Sequence, residues 1–180
     1  MLNLTKPVLT GTLVRLRPLV AGDAGAMYAG LDDPEGMRLT GTQSDFTFEQ
    51  VLHHCEHVEN AGDRLDYAIE VAGQPIGEAV LNCVDETNRS ASFRIAIWRP
   101  DMLDQGFGSE ATSLLVRHGF EIVGLNRIEL EVYSFNPRAR RVYEKIGFRL
   151  EGTRRQALLW NGAAVDAHVM AMLRSDYPAG

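Results

Sequence analysis

A chain of 180 residues with 45% hydrophobic content carries enough apolar material for one domain with its own core, spanning residues 1–180, and it shows no internal repeat or linker. Its 24 carboxylates against 18 lysines and arginines leave a formal net charge of −6, which argues against nucleic acid as a partner, because neutralising phosphates takes a basic face. There is no leader-like start and no apolar run near the roughly 20 residues that span a bilayer, and Cys55 and Cys83 have no metal spacing, so a cytoplasmic protein with no membrane partner and two small core thiols is expected.

Val14–Leu19 alternates as a strand does, and Ala21–Leu31 reads as a short helix. Asp32 to Asp45 is polar and loop-like. Thr47 followed by Gln50 forms a capping box for a helix from Phe48 to about Ala61. Strands Tyr67–Val71 and Ile76–Val84 flank the turn Ala72-Gly73-Gln74, and the polar turn Asp85–Arg89 leads into strand Ala91–Trp98. A helix follows, with Ala111, Leu114, Leu115, His118 and Ile122 at helical spacing, and it stops near Gly124. Arg127–Tyr133 is a strand, Asn136-Pro137 opens a helix that Gly147 closes, and Phe148–Leu159 and Val165–Leu173 are strands joined at Asn161-Gly162. The order β-α-α-β-β-β-α-β-α-β-β predicts an α/β (α+β) fold with a mixed sheet and helices on its faces, distinct from a Rossmann repeat.

The stretch Gln105–Gly106–Phe107–Gly108–Ser109 stands between a strand and a helix. Such a turn presents unpaired backbone N–H groups at a helix N-terminus, which suits a phosphate or pyrophosphate, and glycine lets the backbone approach the anion closely. Glu110, in the first turns of that helix, favours its dipole without touching the anion. Charge is unevenly distributed. Between Val20 and Glu70 the carboxylates Asp23, Asp32, Asp33, Glu35, Asp45, Glu49, Glu56, Glu59, Asp63, Asp66 and Glu70 face only Arg38 and Arg64; between Arg127 and Arg155 the basic residues predominate. One end of the chain is thus set to draw a cation and the other an anion.

The glycine turn, the strand Arg127–Tyr133, Asn136-Pro-Arg-Ala139 and Val142-Tyr-Glu-Lys-Ile-Gly-Phe148 resemble the GNAT superfamily of acetyl-CoA-dependent N-acetyltransferases. Glu151-Gly-Thr-Arg-Arg155, Asn161-Gly162 and Asp166 to Met170 are similar to its branch that acetylates ribosomal-protein N-termini. The resemblance runs from about Leu13 to Leu173. It implies a mostly antiparallel central sheet with one splayed strand pair and helices on both faces. It also implies acetyl-CoA as acyl donor, no metal, and an amine acceptor such as a protein N-terminus, a polyamine or an aminoglycoside-like molecule. Homodimers are common in the branch it resembles.

By the same resemblance, Ile97 contacts pantetheine through its backbone, Leu103, Gln105, Gly106, Phe107, Gly108 and Ser109 cradle the pyrophosphate, and Asn136 and Tyr143 contact the cofactor. Leu103 replaces the family's usual Gln or Arg, and Asp104 brings a negative charge to the cradle. Asn136 also suits a helix N-cap. Tyr143 matches the acid that protonates the departing thiolate. The family's frequent strand carboxylate is missing from Phe93–Trp98, so Glu78 and Glu129, with Glu131, are the candidate bases. The alternative is a catalytically weak CoA-binding module with the same fold. His53, His54 and His57 on the second long helix are expected to be surface histidines.

Overall fold

The structure, a computed structural model, describes residues 1–177. Strands are β1 (Leu9–Thr10), β2 (Arg15–Pro18), β3 (Leu65–Val71), β4 (Gln74–Asp85), β5 (Ser90–Ile97), β6 (Arg127–Tyr133), β7 (Arg149–Trp160) and β8 (Ala163–Leu173); helices are α1 (Ala24–Gly30), α2 (Pro34–Thr40), α3 (Phe48–Asn60), α4 (Phe107–His118) and α5 (Pro137–Ile146). All eight strands join one sheet in the order β1-β2-β3-β4-β5-β6-β8-β7. β5 and β6 are the parallel neighbours, and the rest pair antiparallel.

Local chemistry accounts for most boundaries. Thr47 and Gln50 bond reciprocally at the start of α3, at 2.8 and 3.2 Å. Ala72-Gly73 and Asn161-Gly162 make two-residue hairpin turns, all four residues with positive φ, as type I′ requires. Asn136 caps α5 by accepting from the Ala139 N–H at 3.1 Å, with Pro137 in the first turn.

The alternation of each strand feeds two cores, one per sheet face. Ala111, Leu114 and Leu115 of α4, with Tyr143 of α5, pack on Tyr67, Ile69, Leu81, Phe93, Ile128 and Leu130. On the opposite face Ala24 and Met27 of α1 and Val51, Cys55 and Val58 of α3 cover Leu19, Ala68 and Trp98. The expected helices on both faces are therefore present.

The parallel seam is short. β5 and β6 pair only at Ser90/Arg127, Ala91/Ile128 and Ser92/Glu129. Beyond it β5 stays on β4 as far as Ile97/Gly77, and β6 stays on β8 as far as Tyr133/Ala167. The two strands thus remain extended while parting from each other, which is the splayed pair.

Two expectations need correction. The polar stretch after Asp32 contains α2, capped by Asp33, whose carboxylate accepts from the Glu35 and Gly36 N–H groups, and ended by Gly41 at φ +70°. It buries no residue, so it carries no apolar periodicity, but its caps were legible. Cys83 is exposed instead of lying in the core, because a bulge in β4 turns it outward at φ +50°. Cys55 is buried as expected, and burial pushes its thiol up to about 11.

Candidate active site

Where β5 leaves β6, the chain passes through a tight turn into α4. Gly106 is its N-cap at φ 85°, a left-handed conformation, and no side chain caps the helix there. The backbone N–H groups of residues 104 to 109 donate to no backbone acceptor among the described residues, so they form an array open to an anion. A Cβ on Gly108 would meet nothing closer than Ile95 Cδ1 at 3.8 Å, leaving the approach clear. Leu103 differs from the expectation, because its N–H already donates to Pro100 O at 3.2 Å. Gln105 turns its side-chain amide back onto Asp101 O at 2.8 Å and offers the site only its backbone.

The charge of Asp104 is answered from across the cleft. Arg138, in the first turn of α5, donates to both its carboxylate oxygens at 3.0 and 2.8 Å. Glu110 has a more specific role than favouring the helix dipole. Its carboxylate accepts the N–H groups of Thr12, Leu13 and Val14 at 2.9, 2.7 and 2.7 Å, tying the β1–β2 turn to α4. Desolvation opposes its ionisation, yet these three bonds hold its pKa below the ordinary value.

Phe93, Ile95 and Ile97 of β5 point to the α4–α5 side of the gap. Ile97 is half-buried, and its backbone is registered on Gly77. Tyr143 lies on this same side, 8% exposed, edge-on to Phe93 at 6.2 Å and to Phe148 at 5.9 Å between ring centroids. Phe93 directly follows the last rung of the seam, so the phenol stands where the strands part. Burial pushes its pKa up to about 12, which keeps it protonated at neutral pH. Phe148 is core, as expected. Asn136 uses Oδ1 for its cap, and its Nδ2 has no partner among the described residues.

The opposite face carries a polar strip. Register places Glu78 and Asn82 of β4, Ser92 and Arg94 of β5 and Glu129 of β6 on that side of the sheet, away from Phe93 and Leu81. Glu78 is buried, its Oε2 has no hydrogen-bond partner, and its Oε1 is 3.7 Å from Arg94 Nη2. Burial raises its pKa, against the opposing pull of Arg94. Asn82 Oδ1 is likewise buried without a partner. Glu129 and Glu131 are committed to ion pairs, Glu129 with Arg127 at 2.8 Å and Glu131 with Arg154, and both are more exposed than Glu78. Among the three candidate bases, Glu78 alone is buried with a free carboxylate oxygen.

α2 lies against β5 and reaches over the end of β6. A Cβ on Gly41 would fall 2.5 Å from Tyr133, whose ring stacks with Phe135, and Arg38 sits 4.5 Å over Phe135. Part of the negative charge counted in this stretch of the chain is answered internally. Asp23 and Glu70 pair with Arg17, Glu35 with Arg38 and Asp66 with Arg64, Asp33 and Glu59 accept only backbone N–H groups, and Asp32, Asp45, Glu49, Glu56 and Asp63 are likewise without ion pairs among the described residues. On the basic side Arg127, Arg138, Arg140, Arg149 and Arg154 are paired as well. His53 and His57 are exposed, whereas His54, also on α3, is half-buried, and desolvation lowers its pKa. Two open cavities of about 440 and 560 Å³ lie elsewhere, one lined by Arg89 and Arg174 and the other by Glu110 and Arg117, and neither includes the β5–β6 gap.

Sequence reasoning passed over Arg94, Asn82 and Arg138. Arg94 had a signal: the lone charge on its strand, set between Phe93 and Ile95. Arg138 had none, because its partner Asp104 is 34 positions away.

An open N–H array at a helix start thus lies beside a parallel strand pair that parts, and comparison with known proteins identifies the chain that carries them as an N-acyltransferase. The family model described as an acetyltransferase (GNAT) domain matches residues 14–149, and the chain belongs to that family. It is similar to the uncharacterized N-acetyltransferase YoaA of Bacillus subtilis (strain 168), 28% identical over 173 residues that cover 93% of this chain and 97% of the relative. The L-amino acid N-acetyltransferase AaaT of Escherichia coli (strain K12) is 31% identical over 135 residues, 69% of this chain and 81% of the relative. Among solved structures, spermidine N-acetyltransferase from Vibrio cholerae in complex with CoA and spermine superposes with a TM-score of 0.86 at 26% identity, covering 93% of this chain and 99% of that one. No helix among the described residues is long and apolar enough to cross a membrane.

Proposed function

We propose that the chain transfers an acetyl group from acetyl-CoA to a primary amine by direct attack in a ternary complex. The observation that carries this reading is the array of unpaired N–H groups from residue 104 to Ser109, set beside the opening between β5 and β6. The array takes the pyrophosphate, and the gap-facing backbone of β5 up to Ile97 takes the pantetheine amides. Asn136 Nδ2 supplies a further donor. The amine enters from the face of the polar strip. Its nitrogen forms the new N–C bond as the thioester C–S bond breaks, Glu78 accepts the amine proton, and Tyr143 gives its phenolic proton to the leaving thiolate. A phenol held at about 12 stays protonated until that moment, and a carboxyl raised by burial is the better proton acceptor. The relatives' substrates and the ribosomal-branch resemblance supply the acceptor classes: a polyamine, an amino acid or a protein N-terminus.

Titration calorimetry with acetyl-CoA and with free CoA tests the cradle. Saturable binding of both is expected, followed by amine-dependent release of free thiol when amines are added. Absence of binding up to millimolar concentration overturns the reading, and binding without thiol release for any amine leaves the CoA-binding module.

A further inference from the structure

Of the arginines on β5 and β6, the strands that flank the gap, Arg127 is held by Glu129 and Glu151 at hydrogen-bond distance. Arg94 is not. Its side chain is 61% exposed on the amine-side face, and its nearest carboxylate oxygen, on Glu78, is 3.7 Å away. A guanidinium carries a planar fork of donors matched to a carboxylate, so Arg94 has an unspent bidentate site beside the reaction centre. On the same face, one register step to either side, lie two buried acceptors that nothing satisfies, Glu78 Oε2 and Asn82 Oδ1. Orphaned buried acceptors are rare in native proteins and persist where a ligand supplies the missing donors. An unspent cation flanked by unspent acceptors, all within a few residues on adjacent strands, is complementary to a molecule whose ammonium and carboxylate share one carbon.

We propose that the acceptor is such a zwitterion, a free α-amino acid, whose carboxylate is bound by Arg94 and whose amino group is directed to Glu78. The inference rests on the acetyltransferase reading and narrows its substrate class. Two neighbouring carboxylates on this face do not compete for Arg94: Asp66 is closed by Arg64 in a two-bond pair, and Glu129 by Arg127. A polyamine finds no use for Arg94 and is repelled by it, so the same residue that accepts an amino acid selects against a purely cationic amine.

The test compares a panel of L-amino acids, the corresponding L-amino acid amides and spermidine, in the wild type, Arg94→Ala and Arg94→Lys. The expected result is a preference for amino acids over their amides of about tenfold or more in kcat/KM. Arg94→Ala abolishes that preference through KM, with the KM of acetyl-CoA unchanged, and Arg94→Lys restores part of it. Equal use of acids and amides by the wild type, a preference for spermidine, or a preference that survives Arg94→Ala overturns the proposal. Binding of each amine to the protein saturated with CoA is measured alongside. Amino acid binding that depends on Arg94 supports the proposal even where no turnover is seen, an outcome that would instead sink the acetyltransferase reading.

Discussion

Tyr143 and Glu78 make separable predictions because they lie on opposite faces of the sheet and are buried in different ways. Tyr143→Phe removes one oxygen from a side chain whose ring contacts with Phe93 and Phe148 remain, so the fold and CoA affinity are expected to hold. Turnover is expected to drop by about a hundredfold or more, measured as thiol release at saturating substrates. Unchanged turnover would remove Tyr143 as the acid. Glu78 is a carboxyl whose native pKa is raised above the ordinary 4.5 by burial. The native state therefore holds this proton more tightly than the unfolded chain does. The stability that follows is present below pH 4.5 and is lost as pH rises through the native value. Glu78→Gln is thus expected to melt higher than the wild type at pH 8, with the difference closing towards pH 4, while its turnover falls. A variant that is less stable at pH 8 would contradict the buried, unpartnered carboxylate. Both residues were legible in the sequence as candidates, one through a motif and the other by elimination. What decided among Glu78, Glu129 and Glu131 was burial and ion pairing, which depend on partners far along the chain.

Elements were more legible than their joints. Capping boxes, proline after asparagine, and the Ala72-Gly73 and Asn161-Gly162 turns are short-range signals, and the helices and hairpins they mark fall close to the expected places. α2 escaped notice because its stability comes from its two ends and from the seat of Gly41 on Tyr133, without an apolar stripe to betray it. The joint between the glycine turn and α5 was invisible for a similar reason. Asp104 looked like an obstacle to an anion, and only the folded chain brings Arg138 against it. This pair makes a prediction at the level of two elements. Arg138→Ala leaves Asp104 uncompensated at the N–H array and is expected to weaken CoA binding several-fold, more at low salt than at high. Removing both charges in Asp104→Ala with Arg138→Ala should recover most of the loss, as calorimetry would show. Failure of the double variant to recover would mean that Arg138 touches the nucleotide itself.

At the scale of the whole molecule, the chain order of elements was readable but the sheet order was not. Nothing local places β8 between β6 and β7, because that choice is made by which hairpin strand buries Met170 and Met172 beneath the α4–α5 core. The same topology divides the sheet into a five-stranded part and a three-stranded part, held along their common edge by three residue pairs. Seen as a mechanical object, the molecule is two stiff plates on a short hinge, and the edges that face each other past the hinge lack a neighbouring strand. The amides that line those edges, within Phe93–Ile97 and Leu130–Tyr133, are expected to exchange with deuterium faster than the amides of the same strands that face β4 and β8. CoA should slow this exchange on the β5 edge, and mass spectrometry or NMR would record it. A pantetheine arm bonded along that edge would then act as an extra strand, and the loosest line through the free protein would become one of its slowest to open.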